Sequence, residues 1–434
     1  MAVTLADVAA RARVSAATVS RVLNGNYPVA QSTRSRVLRA VEELEYVVNG
    51  PASALAAASS DLVGILVNDI ADPFFGIIAG AVQAEMVDGA GEDRTQGTPG
   101  HGQKLAVVCN TGGSSERELT YLTLLQRQRA GAVVLVGGSA EETETYGTGA
   151  PGSETYGPAA VGTGASGAGA SGSGPAAADG SGGRRAAVGP GGGDDSRAAR
   201  PPAPGSPAAA VVARLSRLAA TGTRVVLCGR PPLPVTGGAD GAAAPDPATT
   251  PATLAFDNHG GARRLTEHLL SIGHRRIGYV TGPPGRSTTR HRLMGHLDAL
   301  AAHGVPHDPS AVAHGAYDRA GGYDAACELM RRAPGLTAIV AANDAAALGV
   351  SAALRDAGLR IPQDVSVAGF DDLPFCADTV PALTTVRLPL QEAGARAGRL
   401  ALGRERPPHG NVTTLRADLM VRQSTAAPGR GVPG

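Results

Sequence analysis

One short stretch near the amino terminus, VSAATVSRVLNG (residues 14–25), is typical of a helix with one apolar side and one exposed side that can form hydrogen bonds. Valines recur on one side, whereas the other side carries two alanines, two small hydroxyl side chains and Arg21. Small residues permit close approach to base edges in the major groove, and hydroxyls and Arg supply hydrogen bonds without the phosphate repulsion that carboxylates cause. This face is typical of a helix that reads DNA. The alternative is a three-helix packing module whose outer face has no function.

A second group of chemically useful residues follows three short apolar runs. The runs LVGILVND, AIVAAND and DVSVAGFDD all end in polar side chains. Ligands of doubly wound α/β sheets bind beyond the carboxyl ends of the strands, so these ends predict a binding site. Helix capping is the alternative role for the pairs that begin at Asn343 and Asp371.

Three short helices must position the first of these groups. Residues 5, 8, 9 and 12 form one apolar stripe, Ser15 is a good N-cap for the next helix, and Asn24-Gly25 ends it. A third helix is predicted over residues 32–46. Two helices joined by a tight turn and backed by a third make a helix-turn-helix, so residues 1–49 are predicted to be an all-α DNA-binding headpiece.

From Leu62 onward, apolar strand-like runs alternate with amphipathic helical segments. This alternation predicts α/β architecture with parallel sheets, and the number of units suits two doubly wound lobes within residues 61–425. Segments at about 141–210 and 236–253 are rich in Gly, Ala, Ser and Pro, which predicts flexible insertions. Residues 426–434 are predicted to be a disordered tail.

Composition excludes several classes of protein. The 434 residues carry a net charge of only +1, contain no apolar run of eighteen, and begin without the apolar core of a signal peptide. The four separate cysteines predict reduced, buried thiols, and the histidines lack metal-ligand spacing. No activated nucleophile is apparent. We therefore expect a cytoplasmic protein that is not an enzyme and holds neither a metal nor a cofactor.

The segments VTLADVAARARVSAATVSRVLNG, LVGILVNDIADPFF, LTEHLLSIGHRRIGYVTGPP, AIVAANDAAALG and DVSVAGFDDLPF together resemble the lac repressor/galactose repressor family of bacterial transcription regulators. The resemblance runs in order from residue 3 to about residue 425, apart from the insertions. It implies the headpiece, a hinge helix over residues 50–60, and a two-lobed core like that of a periplasmic sugar-binding protein.

The resemblance also implies which headpiece and hinge residues meet DNA. Leu55 matches a leucine that wedges into the minor groove, and Arg13 stands where the family often has Gly. Because two of the base-facing residues are alanines, Arg21 is expected to carry most hydrogen-bonded readout. The positions that match base-reading residues are Ala16, Ala17, Thr18, Ser20 and Arg21, and those that match phosphate contacts are Asn24, Thr33, Tyr46 and Asn49.

In the core, the resemblance implies an effector site suited to a polyhydroxyl ligand. Asp and Asn pair with vicinal hydroxyls, Arg forks to a diol, and an aromatic face stacks on a sugar ring. Gly229 stands where some members have Asp, so one ligand contact is expected to be absent or moved. The matching positions are Phe74, Phe75, Arg292, Tyr317, Asn343 and Asp371.

The expected function is repression of carbohydrate-utilisation genes by a homodimer that binds a pseudo-palindromic operator in double-stranded DNA, without a membrane partner. A small sugar is expected to release the operator. The alternatives are a regulator whose binding is tightened by a nucleobase or nucleoside, and a solute-binding protein without regulatory role. The carboxyl terminus shows no heptads, so no tetramerising coiled coil is expected.

Overall fold

The computed structural model describes residues 4–24, 29–44, 60–88, 104–138, 205–233, 250–407 and 409–429. Three of the residues predicted to meet DNA, Tyr46, Asn49 and Leu55, lie outside the described residues, as does the side chain of Asn24. Most of the predicted hinge and most of both predicted insertions lie outside them as well.

The headpiece contains the three helices that the apolar pattern predicts: α1 (Leu5–Ala12), α2 (Ala16–Asn24) and α3 (Gln31–Glu43). The turn between α1 and α2 runs through Arg13, whose φ of 53° lies in the left-handed region that favours glycine. Ser15 then caps α2 as predicted, since its Oγ accepts from the Thr18 amide at 3.1 Å. Buried side chains from all three helices, Val8, Val19 and Val37 among them, form one small core.

The first lobe is built around a six-stranded, wholly parallel sheet in the order β11-β5-β4-β3-β1-β2. Two of its elements come from much later in the chain than the rest. The lobe contains β1 (Ser60–Val67), α4 (Pro73–Asp88), β2 (Leu105–Asn110), α5 (Ser115–Arg127), β3 (Ala130–Val136), α6 (Pro207–Ala220), β4 (Arg224–Cys228), β5 (Ala252–Phe256), α11 (Leu390–Leu402) and β11 (Val412–Leu415).

The second lobe has a four-stranded parallel sheet in the order β7-β6-β8-β9 and a short antiparallel pair, β10 with β12. Both lobes therefore have the predicted parallel, doubly wound architecture. Its elements are α7 (Asn258–Ser271), β6 (Ile277–Thr281), α8 (Ser287–Ala302), β7 (Val312–His314), α9 (Arg319–Arg332), β8 (Ala338–Ala341), α10 (Asp344–Asp356), β9 (Ser366–Ala368), β10 (Thr385–Arg387) and β12 (Asp418–Met420).

The chain crosses between the lobes three times, after β5, after β10 and after β11. Two crossings are tied together: the Asp257 amide donates to the Leu415 carbonyl at 3.0 Å, and Arg264 donates to both the Asp257 carboxylate and the Ala417 carbonyl. The lobes are therefore joined by three segments of chain, and rotation about these segments can change the arrangement of the lobes.

Close helix packing holds the late-arriving α11 in the first lobe. A Cβ atom at Gly394 would approach the Ile78 carbonyl oxygen to 2.5 Å, and one at Gly398 would approach the Glu85 Cβ to 2.9 Å. Glycine at both positions lets α11 lie directly against α4. The first lobe is therefore completed by elements that follow most of the second lobe in the chain.

Several predicted boundaries are corrected. Helix α6 begins at Pro207 and β5 at Ala252, so both insertions end earlier than their composition implied, and β1 already begins at Ser60. The carboxyl-terminal tail is described to residue 429, and the Ala426 carbonyl accepts a hydrogen bond from the His274 ring at 2.9 Å. Three cysteines are buried as expected, but Cys327 is exposed on α9.

Buried histidines support the second lobe. His274 lies between the Thr337 hydroxyl, at 2.8 Å, and the Ala426 carbonyl, at 2.9 Å. His296, on α8, is 1% exposed and hydrogen-bonds Thr266 at 2.9 Å. Burial lowers the pKa of His296 to about 3.

We predict that acid destabilises the second lobe through His296. Between about pH 6.5 and pH 3 the unfolded chain binds a proton that the folded protein does not, so the free energy of unfolding falls as the pH falls, by up to about 1.4 kcal/mol per pH unit for this residue. Urea unfolding of wild type and His296→Gln at pH 7.5, 6.5 and 5.5 should show a smaller acid loss in the variant. His303→Gln, at an exposed site just after α8, is the control; equal acid losses in wild type and His296→Gln would contradict the prediction.

Candidate effector site and DNA-binding face

The carboxyl ends of the strands of both lobes face one cleft, and the cavity between them has a volume of about 70 Å³. The apolar runs that end in polar residues correspond to β1, β8 and β9, as the strand pattern predicts. All six predicted effector residues, although distributed over both lobes, line this one cavity: Phe74, Phe75, Arg292, Tyr317, Asn343 and Asp371.

The Arg292 side chain donates three hydrogen bonds to groups in and around the cleft. It lies in the second turn of α8 and is 3% exposed. Its Nη2 donates to Asp371 Oδ1 at 2.9 Å, its Nε donates to Asn258 Oδ1 at 2.9 Å, and its Nη1 donates to the Ala342 carbonyl. The guanidinium carbon lies 3.8 Å from the centroid of the Phe370 ring. The three hydrogen bonds fix the plane of the guanidinium.

Asp371 is 4% exposed and sits on an unusual backbone. Its φ of 110° is rare for a residue with a side chain and costs roughly 1–3 kcal/mol. The main chain is held in place by hydrogen bonds from the Asp371 amide to the Val386 carbonyl, at 2.8 Å, and from the Leu388 amide to the Asp371 carbonyl. Burial raises the pKa of Asp371 above its ordinary value, and the Arg292 guanidinium opposes that rise.

A neighbouring carboxylate, Asp344, supports the loop after β9 that contains Asp371. It is fully buried and accepts from the Leu373 amide at 2.8 Å and from the Thr385 hydroxyl at 2.6 Å. Burial raises the pKa of Asp344 to about 6. Because its oxygens are taken up by the loop, Asp344 positions the Asp371 backbone and does not reach into the cavity.

Asn343 performs the capping role that was the alternative for it, and it also lines the cleft. Its Oδ1 accepts from the Ala346 amide at 2.9 Å as the N-cap of α10, and its Nδ2 donates to the Tyr317 carbonyl at 3.1 Å. Tyr317 is in turn fixed by a 2.7 Å hydrogen bond between its hydroxyl and that of Thr289. These contacts fix the orientation of the Asn343 and Tyr317 side chains on one wall of the cleft.

The first lobe contributes an aromatic wall. The rings of Phe74 and Phe75 meet edge to face at 5.0 Å between centroids, and Phe74 meets Phe256 at 6.1 Å. Gly229 also lines the cleft with a φ of 67°, and a Cβ there would lie 3.2 Å from the Phe256 ring. The position where some family members carry Asp is therefore close to aromatic carbon in this chain.

Besides Asn68, which belongs to the polar end of the run LVGILVND, the cavity is lined by four polar residues that the sequence did not single out: Asp72, Asn258, Arg286 and Thr288. Arg286 is the most informative, since its guanidinium lies 5.6 Å from the Tyr317 ring centroid and its Nε is buried without a hydrogen-bond partner among the described residues. It belongs to GPPGRST, which the sequence predicts only as a loop after a strand. The signal that marks it is its position at the carboxyl end of β6.

Among the described residues that line the cleft there is no Ser, Cys or His, and nowhere in the described part of the chain do three His, Cys, Asp or Glu side chains cluster as metal ligands would. None of the helices in the described ranges is both long and apolar enough to cross a membrane. The cleft thus offers hydrogen-bonding groups and an aromatic surface.

The headpiece presents the predicted face of α2 in part. Ala16, Ala17 and Arg21 are exposed, whereas Thr18 and Ser20 are half-buried. The Thr18 hydroxyl lies 2.8 Å from that of Ser15, so it helps to cap α2. On α3, Thr33 is half-buried and accepts a 3.4 Å hydrogen bond from Arg36. Arg21 is therefore the exposed charged group on the face of α2.

Comparisons with known proteins agree with both regions. The family described as "Bacterial regulatory proteins, lacI family" matches residues 4–49, and a "Periplasmic binding protein-like domain" matches residues 266–425. The HTH-type transcriptional regulator MalR of Streptomyces coelicolor is 32% identical over 442 residues, which cover all of both chains.

Solved structures show the same architecture. A transcriptional regulator CelR–cellobiose complex is 25% identical, with a TM-score of 0.55 over 97% of this chain and 99% of that one. The lac repressor dimer bound to operator and the anti-inducer ONPF is 23% identical and shares the fold, with a TM-score of 0.65 over 98% of this chain and 100% of that one. From the headpiece to the end of the second lobe, this chain belongs to the lacI family of bacterial regulatory proteins.

Proposed function

We propose that the protein represses carbohydrate-utilisation genes in the cytoplasm and is released from its operator by a small sugar bound in the cleft. The observation that carries the proposal is the combination, in one chain, of an exposed arginine on a helix-turn-helix and a cleft that joins an aromatic wall to a buried Arg–Asp pair. The relative bound to cellobiose supports a sugar as the ligand class.

The chemistry of the cleft favours a neutral polyhydroxyl ligand. Among the described residues, side chains engage only Oδ1 of Asp371, which leaves Oδ2 for a ligand hydroxyl. Arg292 is already hydrogen-bonded to Asp371, so the pair recognises hydroxyls without requiring a charged ligand. The Phe74 and Phe256 rings supply apolar surface for the carbon face of a sugar ring.

Ligand binding must couple to the arrangement of the two lobes. The cavity of about 70 Å³ is much smaller than the ~300–1,000 Å³ of typical ligand pockets, so a sugar requires the lobes to separate or rotate. The three crossings provide the axis for that movement. An effector that prefers one lobe arrangement then shifts the population of the arrangement that binds DNA.

A homodimer is the natural form of such a regulator. One headpiece reads one half-site, and a two-fold dimer matches the two halves of a pseudo-palindrome. The lac repressor, which shares this fold, is a dimer on its operator.

The alternative response is that the ligand tightens operator binding instead of releasing the operator. A planar nucleobase is the alternative ligand, since the same aromatic wall can stack on it.

Arg21→Ala should lower affinity for the specific operator by about 1–3 kcal/mol, because Arg makes bidentate hydrogen bonds to guanine, and should have much less effect on random DNA. Fluorescence anisotropy at one fixed salt concentration measures both affinities. Arg39→Ala, which removes an exposed arginine of α3 outside the predicted contacts, should retain specificity. An equal loss on both DNA sequences would reduce Arg21 to a phosphate contact.

Asp371→Asn and Arg292→Ala should each bind the operator normally but fail to release it on addition of sugar. Losing one charge-assisted contact of roughly 1.5–3 kcal/mol weakens effector binding about tenfold or more. Isothermal titration against mono- and disaccharides, followed by operator release assays, measures this once a ligand is found. Asp364→Asn, at an exposed ion pair with Arg360, is the control. Wild-type release by both cleft variants would refute the site, whereas tighter operator binding with ligand would establish corepression.

A further inference from the structure

A second and larger cavity, of about 480 Å³, lies in the second lobe at the opposite end of its sheet from the effector cleft. Its lining includes Ile277, Val312 and Leu336, which stand at or just before the amino ends of β6, β7 and β8. The two cavities share no lining residue among those described. Its volume is within the ~300–1,000 Å³ of small-molecule sites.

Basic side chains surround the mouth of this cavity. Arg275, Arg276 and Arg332 line it, together with the exposed His303 and His307. Of the carboxylates nearby, Glu328 pairs with Arg332 at 2.9 Å, and Asp308 accepts two hydrogen bonds from Ser310 at 2.7 and 2.8 Å. Three guanidinium groups against two carboxylates leave the rim with a net positive charge.

Arg275 and Arg276 are held in place by uncharged carbonyl groups, whereas Arg332 pairs with Glu328 and the Asp308 carboxylate lies near enough to Arg276 to interact with its charge. Arg275 donates to the Leu270 and His274 carbonyls at 2.9 and 2.8 Å, and Arg276 donates to the Pro334 carbonyl. Gly335 leaves room for the second guanidinium, since a Cβ there would lie 2.7 Å from Arg276 Nη1. Within the described part of the chain these bonds use only Nη1 of Arg275 and only Nη2 of Arg276, so each retains further N–H donors.

The floor of the cavity is apolar. The buried side chains of Ile277 and Leu300 and the half-buried Leu336 and Val305 line it beneath the basic rim. His296 also contributes, and the lowered pKa that burial gives it keeps its ring neutral. A ligand that fits must therefore combine an anionic group with a ring or other apolar body.

We propose that this cavity binds a small organic phosphate, a phosphomonoester attached to a ring, as a second ligand of the regulator. Guanidinium groups match phosphate oxygens in charge and in hydrogen-bond geometry. The apolar floor takes the body of the ligand. The site lies within one lobe, so it forms whether the effector cleft is open or closed.

The test is isothermal titration of the full-length protein with adenosine monophosphate at fixed salt, with adenosine as the uncharged partner. The nucleotide should bind at least about tenfold more tightly than adenosine, since the phosphate supplies the charge-assisted contacts. Arg276→Gln and His307→Glu should each weaken nucleotide binding about tenfold or more. His307 is exposed on a loop, so its variant tests the site even if Arg276→Gln perturbs folding.

Two controls separate this site from others. Arg360→Gln removes an exposed arginine elsewhere in the lobe and should leave nucleotide affinity unchanged, as should Asp371→Asn in the effector cleft. The proposal is overturned if millimolar nucleotide gives no binding, if both cavity variants bind it like wild type, or if Asp371→Asn abolishes binding.

Discussion

The buried ion pair between Arg292 and Asp371 is the interaction on which the effector cleft depends. Removing two charges from water is costly, and such a pair is tolerated only when hydrogen bonds satisfy the remaining donors. Here the donors of Arg292 meet Asn258 and the Ala342 carbonyl as well as Asp371. These partners stand at the start of α7 and at the ends of β8 and β9, so the pair requires three separate elements to converge on one point.

That requirement explains features of the second lobe that are otherwise costly. Asp371 has a backbone conformation rare for a residue with a side chain, and Asp344 is a fully buried carboxylate. Asp344 is bound to the loop that follows β9 through the amide of Leu373, and Asp371, which lies in that loop, is bound to the main chain of Val386 and Leu388. Backbone strain at Asp371 and the burial of two carboxylates thus lower the stability of the lobe, and they present one carboxylate oxygen to the cavity.

The three crossings between the lobes limit how the lobes can move relative to each other. Because α11 and β11 return to the first lobe, neither lobe is a continuous segment of chain. A separation of the lobes must bend all three crossings together, which favours a rotation about these segments. The long addition between β3 and α6 lies well before these crossings in the sequence, whereas the one between β4 and β5 ends shortly before the first of them. Lengthening such a connection costs only about 0.6 kcal/mol per doubling.

The sequence by itself determined the element types, the helix-turn-helix, the parallel lobes and the polar strand ends. These depend on local periodicity, on capping residues and on the rule that ligands bind at carboxyl ends of strands. It also placed Arg292 and Asp371 in one cleft, through their resemblance to a family. Only the tertiary structure decided that these two pair with each other, that Arg286 joins them, and that Thr18 is turned toward Ser15. It also decided the exposure of Cys327 and the basic cavity at the amino ends of the strands. The Thr18 contact is local, but the contacts of Arg292 join residues tens of positions apart, and they follow from sheet order and chain crossings that no local pattern encodes.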